Sequence, residues 1–212
     1  MADPLDHWPL PGATDLRDRL LAAYDDPARG YHDRRHLAEV CERIAELAGH
    51  ADDGPGIPPA ERDTVLLAAW FHDAVYDGER DAEERSAVWA ELDLPAAGVP
   101  LEVVTEVARL VRLTETHCPE EDDRAGCVLS DADLAILAAP AGRYEEYTAG
   151  VREEFAHVPD PDFRTGRAAV LRDLLSKPRL FHTPYALEHW EQSARANVEA
   201  ELAALSGHAE VR

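Results

Sequence analysis

The chain has 212 residues, 43 of them acidic and 21 basic, for a formal net charge of -22 at pH 7. So negative a surface repels phosphate backbones and anionic headgroups, which excludes bulk nucleic acid and membrane surfaces as partners; a small anion remains admissible where a cation or a few basic side chains reverse the local sign. Hydrophobic residues at 45% and charged residues at 30% exclude a disordered chain and predict one soluble domain over 1–212, its core between about 14 and 205.

The opening stretch "MADPLDHWPL" has no basic segment leading into an apolar one, and no apolar run reaches spanning length. Cys41, Cys118 and Cys127 are odd in number and lack C-x-x-C spacing, so no disulfide framework or thiolate zinc site is expected, and a reducing cytoplasm fits. Apolar residues then recur at helical spacing, first at Leu16, Leu20, Leu21 and Tyr24, next at Leu37, Val40, Cys41, Ile44 and Leu47. "YHDRRHLAEV" puts His32 and His36 at i, i+4 on the second of these helices. The Gly- and Pro-rich "ADDGPGIPPAE" is a loop whose prolines lead into a helix from about 60 to about 76. Further helices are expected at roughly 80–93, 100–116, 131–139, 142–157, 161–176 and 184–205, separated by turn residues, and strand alternation is nearly absent. The fold class is an all-α single-domain helical bundle. The acidic clusters "PEEDD" and "YEEY" are expected to be solvated surface.

Within the third helix, "AAWFHDAVYD" sets His72 and Asp73 after an apolar run suited to the interior. A buried carboxylate is costly unless it is paired or metal-bound, so burial makes a partner necessary. The second helix offers His36, and "VLSDADLAIL" sets Asp131 and Asp133 against an apolar helix start. Imidazole and carboxylate donors without thiolate suit Mn, Fe, Ni, Zn or Mg. For His72-Asp73 alone a hydrogen-bonded core pair is the simpler reading; for Ser130 or Asp131 it is capping of the next helix.

The ordered set His36, His72-Asp73 and an aspartate in "SDADLAIL" resembles the HD superfamily of metal-dependent phosphohydrolases, all-helical bundles named for that dipeptide. More narrowly, "YHDRRHL", "AAWFHDAVYD", "EERSA", "LSDADLAIL", "YEEYTAGVREEFAHV", "FRTGRAAVLRDLL" and "ARANVEAEL" are similar to a bacterial subgroup of predicted HD phosphohydrolases, a likeness running from about Tyr31 to about Leu202. The resemblance implies that a divalent ion is held by His36, His72, Asp73 and one aspartate. Asp133, directly after a small residue, matches the superfamily setting, and Asp131 then caps the helix or supports the ligands. It also implies metal-activated hydrolysis of a small phosphoester such as a nucleotide.

Basic residues are then needed around the phosphoryl oxygens, with His32, Arg164, Arg167 and Lys177 as substrate-binding candidates beside Arg179. Asp73, Asp77 and His32 are the catalytic candidates, with Glu83 as a further carboxylate for water. Some superfamily members hold a second ion with additional histidines, which makes His117 in "TETH" a candidate ligand. The arginines of "FRTGR" have a plainer role as surface partners of Glu153, Glu154 or Asp162. Two rival functions remain: a zinc peptidase, because "HDRRH" imitates H-E-x-x-H, and a non-catalytic helical module that binds metal or a protein partner.

Overall fold

The helical spacing is realised throughout a computed structural model of the chain, which describes residues 3–49, 58–78 and 81–207. Among the described residues there is no strand, and ten α-helices follow in order. They are α1 (Thr14–Tyr24), α2 (Arg34–Gly49), α3 (Pro59–Phe71), α4 (Ala82–Asp93), α5 (Leu101–Leu113), α6 (Arg124–Leu134), α7 (Ala141–Glu154), α8 (Asp160–Ser176), α9 (Pro184–His189) and α10 (Glu191–Gly207). A 3₁₀ turn, Ala135–Ala138, continues α6.

Two of these helices are buried nearly all round, the signature of a central rather than a surface element. In α3 every residue from Val65 to Phe71 is buried, and in α6 every residue from Ala125 to Ala132. Amphipathic α2 buries Leu37, Val40, Ile44 and Leu47, and the three helices pack against one another. Around them Trp70, Tyr24, Phe71 and Phe181 are fully enclosed, each such aromatic or aliphatic side chain stabilising the fold by about 1.5–3 kcal/mol.

Several boundaries differ from expectation, each for a local reason. Most of the Gly/Pro loop, residues 51–57, lies outside the described residues; Pro59 stands in the first turn of α3, where its missing N–H costs nothing. That helix stops at Phe71 instead of running to 76, because N–H groups that would continue it find other acceptors, that of Asp73 the Tyr24 hydroxyl at 3.2 Å and that of Val75 the Ser86 hydroxyl at 3.0 Å. The Arg29 guanidinium takes the carbonyl oxygens of Asp73 and Ala74, at 2.7 and 3.1 Å. Helix α6 begins at Arg124, well before 131, because Asp123 caps it by accepting the Gly126 N–H at 2.9 Å. Gly126 reads as a turn residue in sequence, yet it sits inside the helix where a Cβ would come within 2.7 Å of Leu113. Ser130 and Asp131 therefore lie in a helix interior and cap nothing. The last expected helix is divided into α9 and α10 at Trp190.

The acidic clusters are more than solvated surface. Asp123 is also bound by Arg109, and in "YEEY" the two tyrosines, Tyr144 and Tyr147, are buried while Glu146 pairs with Arg35. Cys41 and Cys127 are buried, Cys118 is exposed and all three are free. No single helix among the described residues is long and apolar enough to cross a membrane.

Candidate metal centre

The buried helices deliver their polar residues at their ends. His36 stands in the first turn of α2, which Asp33 caps by accepting the N–H groups of Arg35 and His36 at 2.9 and 3.1 Å. His72 follows the last residue of α3, Asp73 follows it in a turn, and Asp133 comes near the C-terminus of α6. The two imidazoles are 2% and 1% exposed.

At the junction His36 Nε2 lies 3.1 Å from His72 Nε2 and 3.2 Å from Asp133 Oδ1. Asp73 Oδ2 lies 3.3 Å from His36 Nε2 and 3.0 Å from His72 Nε2, and Asp133 Oδ1 is 3.6 Å from His72 Nε2. A divalent ion about 2.1 Å from each donor would separate neighbouring donors by about 3.0 Å in an octahedron or about 3.4 Å in a tetrahedron. Four of the five observed separations fall within that range, and the fifth, 3.6 Å, exceeds it slightly. Two buried ring nitrogens facing each other at 3.1 Å can share only one proton, and a shared cation satisfies both lone pairs at once. His36, His72 and Asp133 could thus hold a metal ion.

The surroundings prepare the donors. His72 Nδ1–H donates to the Ala69 carbonyl at 2.7 Å, a bond within the last turn of α3 that fixes the neutral tautomer with its lone pair on Nε2, as a metal ligand requires. The Tyr24 hydroxyl accepts the Asp73 N–H at 3.2 Å and lies 3.5 Å from His72 Nδ1. Burial would raise the Asp73 and Asp133 carboxyls, but the charge on His72 and the hydrogen bonds from both imidazoles hold them well below the ordinary range. Burial would likewise lower His36 and His72; hydrogen bonds to Asp133 and Asp73 raise the first, and the charges of Asp73, Tyr24 and Asp133 raise the second.

Asp131 is fully buried and does not join the ligands. Its carboxylate accepts the backbone N–H groups of His182 and Thr183, at 2.8 and 2.7 Å, and meets His182 Nδ1 at 3.1 Å, fastening the segment before α9 to α6. His117 is brought in: its Nε2 lies 3.2 Å from Asp133 Oδ2, its Nδ1 is buried without a partner, and its backbone adopts φ 50°, a left-handed conformation that a non-glycine residue rarely holds. Burial lowers its pKa, with Asp133 opposing.

Beside the centre lies a cavity of about 260 Å³ lined by His32, His117, Asp133, Tyr147, Arg167 and Lys177. A second hollow, of about 310 Å³, reaches His36 and Asp133 past Glu39, Arg43 and Arg143. Of the basic candidates, Lys177 lines the first cavity with Nζ 3.0 Å from the Thr116 carbonyl. Arg167 lines it too, but Glu201 receives its Nε and Nη2 at 2.7 and 3.0 Å, so its charge is compensated within the wall. Arg164 is spent elsewhere, donating to the Leu205 carbonyl at the end of α10. Arg179 approaches Glu121 at 3.5 Å. Asp77 is at the surface, both oxygens held by Arg85 at 2.6 and 2.7 Å, and Glu83 lies in the first turn of α4.

His32 differs most from its expected setting. It precedes α2 instead of sharing a helical face with His36, so "HDRRH" is not a helical zinc-binding pair. Its Nδ1 is bound at 2.9 Å by Glu154, a side chain 4% exposed and not the surface partner of arginines that the sequence had indicated. The places of Glu154 and Arg29 beside the candidate centre were not indicated by the sequence. Arg29 Nη1 also donates to the His32 carbonyl at 2.8 Å, so one guanidinium ties the His32 turn to the Asp73 turn. The glycines at 30 and 150 let α7 approach this turn at backbone contact, since a Cβ on Gly150 would sit 2.5 Å from the Gly30 carbonyl oxygen. Comparison of the chain with protein-family models, curated proteins and solved structures returned no match.

Proposed function

We propose that the protein is a metal-dependent phosphohydrolase of the HD type that cleaves a small phosphoester, such as a nucleotide, with water. The observation that carries this reading is the junction of His36, His72 and Asp133, with Asp73 beside it: each imidazole Nε2 lies 3.0–3.6 Å from the other and from an oxygen of both carboxylates, close to the edge lengths of one ion's coordination polyhedron. These residues would hold a Mn, Fe, Ni, Zn or Mg ion; when bound, such an ion makes hydroxide accessible near neutral pH and polarises a phosphoryl oxygen.

The chain's own residues supply the rest. Lys177 brings a positive charge to the cavity for the phosphoryl oxygens, in a protein whose overall charge of -22 would otherwise repel the substrate. His32 lines the same cavity and offers an imidazole to the ester. Asp73, beside the imidazoles, is the carboxylate candidate to take the proton that water loses. An ion serving stability alone favours a closed shell. Here Asp133 borders open space, which favours catalysis over a non-catalytic metal-binding or protein-interaction module.

The test is a panel of nucleotides, phosphomonoesters and cyclic diesters, offered to wild type and His72→Ala reconstituted separately with each of the five metals, with and without chelator. Turnover that requires metal and is lost in His72→Ala is expected. A stoichiometrically loaded protein that turns over none of them overturns the reading in favour of the module.

A further inference from the structure

The cavity beside Asp133 does not end at its polar walls. Tyr147 of α7 lines it together with Arg167, Val170 and Leu174 of α8 and Lys177 at the C-terminal cap of that helix. Arg167 and Val170 also line a further hollow of about 380 Å³. Val151, Phe155 and Val158 wall this hollow on one side, and Phe163, Gly166 and Val170 on the other. Phe163, Gly166, Val170, Leu174 and Lys177 are spaced three or four residues apart, so they share one helical face that passes from the hollow into the cavity. At a rise of 1.5 Å per residue, Val170 stands about 10 Å from either end of that face. Hollow and cavity are thus two lengths of one groove between α7 and α8.

The two ends differ in chemistry. Lys177, His117 and Asp133 make one end polar. At the other, Val151 is buried and Phe155 and Phe163 are half-buried with ring centroids 6.1 Å apart, yet Val170 is 52% exposed. The polar side chains of the hollow have little to offer a ligand. The Arg167 guanidinium already donates to Glu201 and the Tyr147 hydroxyl at 2.7–3.0 Å, and Asp162 is exposed. A nucleobase placed there would bury donors and acceptors without partners, whereas a hydrocarbon chain only gains from leaving water. Gly166 is an independent sign. It lies inside α8, where glycine is the least favoured residue after proline, and a Cβ there would meet nothing within 4 Å. No neighbour requires this glycine, unlike those at 30, 126 and 150; what its missing side chain leaves is room in the hollow.

We propose that the α7–α8 groove is the leaving-group subsite and that the substrate is a phosphate monoester of a linear apolar alcohol. Its phosphoryl group lies between Lys177 and the candidate metal centre, and its chain lies against Phe155, Phe163 and Val170. The inference rests on the phosphohydrolase reading and narrows it, because a nucleotide then becomes a poor substrate.

The test is a series of alkyl phosphates from ethyl to decyl, kept below micelle formation, with adenosine monophosphate alongside. In the metal-loaded protein kcat/KM is expected to rise about 100-fold or more from ethyl to decyl, at about fourfold for each methylene that enters the groove. The nucleotide is expected to fall well below decyl phosphate. Gly166→Leu suits a helix better than glycine and fills the hollow, so it should cut the decyl-to-ethyl ratio to below about tenfold. Val170→Asp, which puts a charge on the same wall, should act in the same direction. A flat chain-length profile, or a ratio that Gly166→Leu leaves unchanged, overturns the subsite and leaves the phosphohydrolase reading standing. Titration calorimetry with ethylphosphonate and decylphosphonate, which are not hydrolysed, reads the subsite without turnover. If no phosphoester is hydrolysed but decylphosphonate binds about 100-fold more tightly than ethylphosphonate, and loses that advantage in Gly166→Leu, the hydrolytic reading falls and the apolar site stands. Equal binding of the two phosphonates in a protein that hydrolyses nothing removes both.

Discussion

Removing Arg29 should loosen both halves of the centre at once. Its guanidinium donates to the carbonyls of His32, Asp73 and Ala74 at 2.8, 2.7 and 3.1 Å, and lies 5.0 Å above the Tyr24 ring and 5.8 Å from that of Tyr76. Hydrogen bonds to a charged donor contribute about 1.5–3 kcal/mol each, so three give an upper range of about 4.5–9 kcal/mol. The site is only half-buried, and water can reach the carbonyls once the side chain is cut back, which reduces the expected loss for Arg29→Ala to about 3 kcal/mol. For a chain of this size that lowers Tm by about 6–12 °C. Because the clamp holds the backbone of Asp73, metal affinity should also fall by about 10–100-fold, as for loss of a group that orients a ligand. Arg29→Lys, with one compact ammonium in place of a fork, should fall between. Calorimetric melting of the metal-free protein and competition with a fluorescent chelator measure the two effects. An Arg29→Ala protein that melts within about 2 °C of wild type and binds metal as tightly would refute the clamp.

Elemental analysis after dialysis should find about one divalent ion per chain in wild type and almost none in His72→Ala; equal loading would remove His72 from the ligand set. Asp131→Ala removes a fully buried carboxylate from two part-buried N–H groups and His182, and should cost about 3 kcal/mol in a denaturant midpoint; a loss below about 1 kcal/mol would mean that water takes over its bonds. Gly150→Ala must displace either α7 or the 30–32 turn, so it should both destabilise the fold and weaken turnover, whereas Gly142→Ala, in open space, should do neither. Burial would raise the Glu39 carboxyl, but hydrogen bonds and charge from Arg143, with Arg35, hold it below 4.5. A depressed acid contributes stability above its unfolded value and loses it as pH falls through the folded one. The gap in urea midpoint between wild type and Arg143→Leu should therefore stay constant from pH 7 to about 5 and close below about 4.5; a constant gap into stronger acid would contradict the pairing.

The residues of the candidate metal centre were legible because burial and polarity conflict in their segments. A run such as "LLAAWFHD" cannot place His72 and Asp73 inside without a reason, and the same conflict singles out "VLSDADL". The helical periods of α2, α3 and α6 then require mutual packing, which is how four residues spread from 36 to 133 meet. Period requires that the two aspartates, two positions apart on a helix, point in different directions; the resemblance indicated Asp133, and it is Asp133 that faces the imidazoles while Asp131 faces the 182–183 backbone.

The supporting residues were illegible for the complementary reason. Arg29 lies in "DDPARGYHD" and Glu154 in "VREEFAHV", where a charged side chain in a turn or at a helix end is the ordinary expectation for solvated surface. Nothing in their spacing shows that Gly30 and Gly150 touch, and it is that long-range contact which buries Glu154 beneath the turn and brings its carboxylate against His32. Two assignments that the structure places elsewhere, Asp77 at the surface and His32 ahead of the helix, relied on proximity in sequence, whereas Arg164 rested on the motif "FRTGR". Once a helix ends, as α3 does at Phe71, the chain reverses within a few residues and proximity carries no direction. What decides is which tertiary groups claim the freed backbone, and here Arg29 donates to the Asp73 carbonyl while the Tyr24 hydroxyl accepts the Asp73 N–H, so the carboxylate turns toward the imidazoles.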